Sequence, residues 1–231
     1  MNGELIKLFE ELCPEEKFSG CLFHGSEVSG AIEIVEGGGF HPGATEGTHH
    51  TSLPLVSTSQ NDNVLSLFGN GTGFCFCVPD ESPLCVRRLH NFFHAATTAY
   101  ETNCDELEVF LNDPGWAAAA KRTGIVSETG KIIGLPPDAF MALLGDNCDG
   151  LAFPGFESQH PMAEAELGLT QKGCARVWAH LDHVIVNGEY FDAKEGVTKL
   201  RGMGDGESES PALPGRTGGA QALGQQRRAS L

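Results

Sequence analysis

The stretch Cys21-Leu22-Phe23-His24-Gly25-Ser26 has residue types in an order that suits the binding of a flat ligand. An apolar run, typical of a short strand, ends at His24 and Gly25. A histidine ring offers hydrogen-bonding nitrogens, and a glycine lets a ligand come close to the main chain. The pattern predicts a strand that delivers His24, Gly25 and Ser26 to a cleft edge. The alternative is a plain strand-to-helix turn capped by Ser26.

A second group of polar residues ends the next predicted strand, Leu55 to Gln60. Ser57, Thr58 and Ser59 stand there in sequence, and their hydroxyls can donate and accept hydrogen bonds. Helical spacing predicts a helix from Glu27 to Val35 between the two strands, and Gly73 to Val78 predicts a third strand. These elements would hold the two polar groups side by side.

Acidic chemistry is offered by Glu106 and Glu108, which precede an apolar run. Residues two apart in a strand share a face, so a strand here would direct both carboxylates into one cleft. An acidic strand edge or the start of a helix is the alternative interpretation.

Taken in chain order, these motifs resemble the ADP-ribosyltransferase superfamily. The resemblance covers roughly Cys21 to Val78, and the rest of the chain more weakly. It implies an α+β fold with two small, mostly antiparallel sheets around an NAD cleft, flanked by helices. It also implies a mono-ADP-ribosyltransferase that uses NAD as a substrate, modifies a protein side chain and releases nicotinamide.

The resemblance also implies roles for individual residues. His24 would hold a ribose hydroxyl, and the backbone of Gly25 would bind the nicotinamide amide. Ser57 would fix the catalytic glutamate, Glu108 would be that acid, and Glu106 would position the acceptor. Ser26, Thr58 and Ser59 would complete the NAD-binding set.

The chain departs from both types of the family, which leaves the identity of the acid open. A histidine on the first strand goes with a single late glutamate that begins the final strand, the one that follows an Asp-Gly-apolar strand. Here Asp149-Gly150-Leu151 matches the Asp-Gly-apolar strand, but the predicted long strand from Cys174 to Val186 has no acid at its start. The candidates Glu157, Glu164, Glu166 and Glu189 therefore stay open, as does the alternative of a catalytically inactive interaction module with this fold.

Zinc binding is a weaker alternative, and no metal is expected. Cys75, Cys77 and Cys85 precede His90 and His94, which lie four residues apart on a helix predicted from Val86 to Tyr100. The spacing fits no standard zinc signature.

Composition limits the partners of the chain. The 231 residues include 31 acidic and 15 basic ones, a formal net charge of −16. Such a surface repels nucleic acid and anionic membranes, and it suits a protein acceptor with a basic surface. We expect a monomer.

The cysteines and the chain start indicate the compartment. The eight cysteines are expected to be free thiols, and no secretory signal or membrane span is predicted. This indicates a cytoplasmic protein or an effector exported without a cleaved signal. We predict an N-terminal helix packed on the body in residues 1–20, an ADP-ribosyltransferase-like domain in 21–200 and a disordered tail in 201–231.

Overall fold

The structure, a computed structural model, describes residues 2–42, 53–101, 105–153 and 166–204. The described residues form an α+β fold in which helices cover both faces of a mixed sheet. The elements in chain order are α1 (Gly3–Leu12), β1 (Glu15–Phe18), β2 (Gly20–Gly25), α2 (Val28–Glu36), β3 (Val56–Ser59), α3 (Asn63–Gly69), β4 (Gly73–Val78), β5 (Leu84–Arg88), α4 (Asn91–Glu101), α5 (Asp105–Leu111), α6 (Pro114–Thr123), α7 (Pro137–Leu144), β6 (Gly150–Ala152), β7 (Glu166–Leu169), α8 (Gln171–Trp178), β8 (Leu181–Val186), β9 (Glu189–Asp192) and α9 (Ala193–Gly204).

The strands of the described residues lie in one sheet of nine, in the order β1-β5-β6-β7-β3-β2-β4-β8-β9. All neighbouring pairs are antiparallel except β5 and β6, which are parallel. The three strands that carry the early motifs, β3, β2 and β4, therefore lie next to one another near the centre. Strands from the last third of the chain flank them, with β7 beside β3 and β8 beside β4.

The expectation of two small sheets differs from this single sheet, and the difference lies at one junction. Strands β2 and β3 are paired only at Phe23 and Ser59, whereas β2 and β4 are paired from Gly20–Val78 to Gly25–Gly73. On its other side β3 is paired with β7 along its full length. The single pair between Phe23 and Ser59 therefore joins the two halves of the sheet. The sheet is continuous but weakly connected at this point.

Apolar side chains cover the two faces of the sheet differently. One face is apolar along most of its width, from Phe18 to Val186, and packs against α2, α8 and α9. The other face carries two separate clusters. The larger one includes Phe9, Phe92 and Phe140 with helices α1 and α4 to α7, and the smaller one surrounds Leu65 of α3.

Two predicted segments have a different local structure. The run from Cys174 to Val186 is α8 followed by β8, because the Thr170 hydroxyl accepts from the Gly173 N–H and begins a helix. Buried Cys174 and Val177 are three residues apart, which is helical spacing. The predicted helix from Val86 to Tyr100 is split into strand β5 and helix α4.

The predicted N-terminal segment contains more than the helix. Helix α1 packs against α6 and buries Phe9, but β1 then pairs with β5 and forms one edge of the sheet. The chain from 205 onward, which includes most of the predicted tail, lies outside the described residues. Within the described part of the chain, every helix is too short or too polar to cross a membrane.

Candidate functional site

His24 lies near the end of β2 and is half-buried. Its Nδ1 is 2.7 Å from the carbonyl oxygen of Ser57. A carbonyl can only accept, so Nδ1 carries the proton and Nε2 of the neutral ring is an acceptor. Phe40 and Phe74 contact the ring at centroid distances of 4.7 and 6.4 Å. Burial lowers the pKa of His24, opposed by the bond to Ser57, and this favours the neutral ring.

Gly25 directs its peptide groups toward the weak junction of the sheet. It is paired with Gly73, and the next residue, Ser26, donates its N–H to the Thr72 oxygen. Hydrogen bonds alternate sides along an antiparallel strand, so the N–H and C=O of Gly25 point away from β4 and toward β3. A Cβ at Gly25 would lie 2.2 Å from the main-chain oxygen of Val64, so helix α3 also requires a glycine here.

The two serines and the threonine of β3 have different hydrogen-bond partners. The buried Thr58 hydroxyl donates to the Leu167 oxygen at 2.8 Å and ties β3 to β7. The Ser59 hydroxyl accepts from the Asn61 N–H at 3.0 Å. Ser57 is half-buried, and its carbonyl is the partner of His24. Ser57 and Ser59 share the face of the sheet opposite to Thr58.

Glu166 is the acid that the fold brings to this group. It is the first residue of β7, is 5% exposed and is paired with Ser59, which in turn is paired with Phe23 of β2. Side chains of directly paired residues lie on one face of a sheet. Glu166 therefore lies on the same face as Ser57, Ser59 and Phe23, one strand further from β2, whereas the His24 ring lies on the opposite face with Phe40 and Phe74.

The position of Glu166 also corrects the search for a late acid. Strand β6, with Gly150 and Leu151, is followed along the chain by β7 as the next described strand. The strand after the Asp-Gly motif thus begins at Glu166. The prediction that placed this strand start near Cys174 was wrong, since Cys174 lies in α8.

Glu106 and Glu108 do not lie on a strand. Asp105–Leu111 is helix α5, where residues two apart point in different directions. Leu107, Phe110 and Leu111 have helical spacing and pack into the larger cluster, while both glutamates are exposed. Glu106 Oε2 is 3.8 Å from Nδ1 of His94. The predicted shared cleft for the pair is therefore wrong.

The other acids offer less to this site. Glu157 and Glu164 lie outside the described residues. Glu189 begins β9, is exposed, and its Oε2 is 3.4 Å from Nζ of Lys199. The hydroxyl of Ser26 donates to the neighbouring Glu27 oxygen at 3.3 Å. Beside it lies a cavity of about 620 Å³, lined among others by Glu27, Ser29, Asn70 and Thr72.

The residues considered for zinc fall into separate places. Cys85 lies on β5, His90 stacks on Trp116 at 5.5 Å, and His94 faces Glu106. Cys75 and Cys77 lie on β4, several strands away. The predicted cluster of five zinc ligands is therefore wrong. Cys85, His90 and His94 lie on β5, just after it and on α4, in the half of the sheet away from Cys75 and Cys77.

Comparison of the chain with protein-family models, with curated proteins and with solved structures finds no match.

From the sequence, Glu166 is one of four acids late in the chain that are candidates for the catalytic glutamate. The signal that singles it out is the run Glu166-Leu167-Gly168-Leu169-Thr170, where alternating leucines are followed by a helix-capping threonine. That run indicates a short strand that begins at the glutamate and ends before a helix.

Proposed function

We propose that the protein transfers ADP-ribose from NAD to a protein side chain, with Glu166 as the acid beside the reacting ribose. One observation carries the proposal: Glu166 begins the strand next to β3, and β3 lies next to the strand that ends in His24 and Gly25. The resemblance of the sequence implies a catalytic glutamate at the start of the final strand, which follows the Asp-Gly motif. Glu166 begins the next described strand after that motif, and β8 and β9 come after it.

Glu166 has the chemical character that the reaction needs. Cleavage of the bond between nicotinamide and ribose passes through a transition state that resembles an oxocarbenium ion. A carboxylate held close to that positive charge stabilises the transition state more than the ground state. The interaction is stronger at a buried position such as that of Glu166, 5% exposed, than in water.

His24 and Gly25 supply complementary contacts for the rest of the substrate. Nε2 of the neutral His24 ring is an acceptor suited to a ribose hydroxyl. The ring lies on the face of β2 opposite to Glu166, so a dinucleotide that contacts both would have to pass through the weakly paired junction of β2 and β3. The N–H and C=O of Gly25 point to the same side and suit the C=O and NH₂ of the nicotinamide carboxamide. The cavity beside Ser26 offers room for the distal part of the dinucleotide.

The transfer is completed by a nucleophile on the acceptor protein. Its lone pair forms a bond to the anomeric carbon, nicotinamide leaves with the electrons of the glycosidic bond, and the acceptor loses its proton. The formal charge of −16 favours an acceptor with a basic surface around the modified side chain.

The test compares the buried acid with an exposed one. The parent, Glu166→Gln and Glu108→Gln are incubated with a labelled NAD analogue and cell lysate, and nicotinamide release is followed in parallel. We expect labelling by the parent and by Glu108→Gln, and a loss of about 100- to 1,000-fold in Glu166→Gln, the range for removal of a key charge-stabilising group.

Each other result has a defined meaning. Equal labelling by Glu166→Gln and the parent would reject Glu166 as the acid, and loss in Glu108→Gln would return the role to α5. A folded parent that binds NAD but neither labels nor releases nicotinamide would be an interaction module rather than a transferase. Circular dichroism of each variant serves as the folding control.

A further inference from the structure

Three cysteines from two neighbouring strands converge on one face of the sheet. Cys75 and Cys77 lie two apart on β4 and so share a face, and Cys21 of β2 is paired directly with Cys77. The Sγ atoms of the three residues all lie within 4.8 Å of one another, and those of Cys21 and Cys77 are 3.0 Å apart. No residue of this cluster belongs to the proposed NAD site.

A fourth donor comes from the next strand through a bulge. Strand β8 pairs His183 with Cys75 and Leu181 with Phe76, so Asp182 is an extra residue between two rungs. A bulge changes the direction of a side chain. The Asp182 carboxylate oxygen Oδ2 lies 3.6 Å from Sγ of Cys77.

These distances are near those of a tetrahedral zinc site, except that the Cys21 and Cys77 sulfurs lie closer together than zinc ligands do. Zinc–sulfur bonds of about 2.3 Å and zinc–oxygen bonds of about 2.1 Å give tetrahedral edges of about 3.8 Å between sulfurs and about 3.6 Å between sulfur and oxygen. The distance of 3.6 Å from Cys77 Sγ to Asp182 Oδ2 equals the expected edge between sulfur and oxygen. The distances among the three sulfurs are up to 4.8 Å, a range that includes the expected edge between sulfurs. Coordination would require the Cys21 and Cys77 sulfurs to move apart by about 0.8 Å and the Asp182 carboxylate to turn toward Cys21 and Cys75.

We propose that Cys21, Cys75, Cys77 and Asp182 form a structural zinc site that joins strands β2, β4 and β8. Three thiolates select a soft or borderline cation, and the carboxylate oxygen favours Zn²⁺ over Cu⁺. Four protein ligands leave no open position, which is typical of structural rather than catalytic zinc. The exposed Cys21 gives the ion a path from solvent.

The residue beside Asp182 completes the arrangement. Nδ1 of His183 lies 2.8 Å from Oδ2 of Asp182, and such a contact orients a ligating carboxylate. Zinc replaces the thiol protons and removes the repulsion among the sulfurs and the carboxylate.

The experiment uses the full chain, reduced and freed of metal, titrated with Zn²⁺ against a chromophoric chelator. We expect one zinc per chain, and an increase in melting temperature on zinc addition. Substitution with Co²⁺ should give the thiolate charge-transfer band and the visible bands of a tetrahedral site.

Matched variants separate ligands from bystanders. Cys21→Ser, at an exposed position, should lower zinc affinity more than 100-fold and abolish the cobalt charge-transfer band. His183→Gln should lower the affinity by about 10- to 100-fold, the usual effect of a residue that orients a ligand. Cys85→Ser, on β5, should bind as the parent does. The proposal fails if the reduced parent binds less than half an equivalent of zinc, or if Cys21→Ser binds as tightly as the parent.

Discussion

Acidic side chains of this protein lie in two opposite settings, the middle of the sheet and the surface of helix α5. Asp149 and Glu166 are 0% and 5% exposed, whereas the side chain of Glu106 is 60% exposed and Glu108 is also exposed. A buried carboxylate loses its hydration and persists only with compensating contacts. An exposed acid in a chain of charge −16 needs no such explanation. Burial therefore separates acids whose position needs a structural reason from acids that are simply solvated, a distinction that sequence spacing does not make.

Asp149 shows how the first setting is stabilised. Its Oδ2 accepts from the Cys85 N–H at 2.8 Å and from the guanidinium of Arg176, and Nζ of Lys172 lies 3.8 Å from Oδ1. Arg176 also donates to the carbonyl oxygens of Ser82 and Pro83. This network links the start of β5, the start of β6 and helix α8.

The largest effect on stability is expected for Asp149→Ala. It leaves a partly buried guanidinium and a main-chain N–H without their acceptor, so we expect a loss of about 3 kcal/mol or more in the free energy of unfolding. Urea denaturation measures the loss. Glu108→Ala is the matched exposed control, with an expected change below about 0.5 kcal/mol. Equal effects of the two substitutions would contradict the comparison.

A methyl group added at the junction of β2 and α3 should have the next largest effect. Gly25→Ala places a Cβ against the main-chain oxygen of Val64, 2.2 Å away in the present backbone. Strand or helix must shift, which we expect to cost about 1–3 kcal/mol of unfolding free energy. Gly3→Ala, with no atom within 4 Å of the new Cβ, should be neutral or slightly stabilising. Urea denaturation of both variants measures the difference, and equal unfolding free energies for Gly25→Ala and Gly3→Ala would contradict the prediction.

A smaller effect is expected from pH. The half-buried His24 has a lowered pKa, so the unfolded chain binds a proton more readily than the folded one as the pH falls below the ordinary value of 6.5. Stability is therefore full above about pH 6.5 and decreases below it. His90, whose pKa burial also lowers, contributes in the same direction. His24→Gln should flatten the decrease in unfolding free energy measured from about pH 7.5 to about pH 5.5.

The control for this pH effect is the exposed His41→Gln, which should keep the slope of the parent. A His24→Gln variant with an unchanged slope would show that the His24 ring is not the group that resists protonation.

The smallest effect is expected for Glu106→Gln. Its contact with His94 is long, 3.8 Å, and the glutamate side chain is mostly in solvent. Exposed ion pairs contribute little, so unfolding free energy should change by less than about 0.5 kcal/mol. A loss above about 1 kcal/mol, measured by urea denaturation, would indicate that α5 depends on this acid after all.

Much of the fold follows from local patterns in the sequence. Strand β4 was predicted at Gly73 to Val78, and the structure has the same bounds. Helices α1 and α2 follow from their apolar spacing, and α6 is fixed at its start by Asp113, whose carboxylate accepts from the Gly115 and Trp116 N–H groups. These elements carry their own start and stop signals.

The site depends on partners that local patterns do not specify. The pairing of Ser59 with Glu166 joins residues from distant parts of the chain, and no spacing rule predicts which late strand lies next to β3. The convergence of Cys21, Cys77 and Asp182 likewise depends on strand order and on one bulge. The error at Glu106 and Glu108 has a local origin, since a short acidic-apolar run fits a strand and a helix equally well.

The position of β3, β2 and β4 at the centre of the sheet has a consequence for biosynthesis. These strands come from the first 78 residues, and both of their outer edges stay unpaired until β7 and β8 have been made. Open strand edges are templates for association with other chains. A nascent chain that stalls before residue 166 therefore exposes two such edges, and a truncated product of that length should aggregate where the full chain does not.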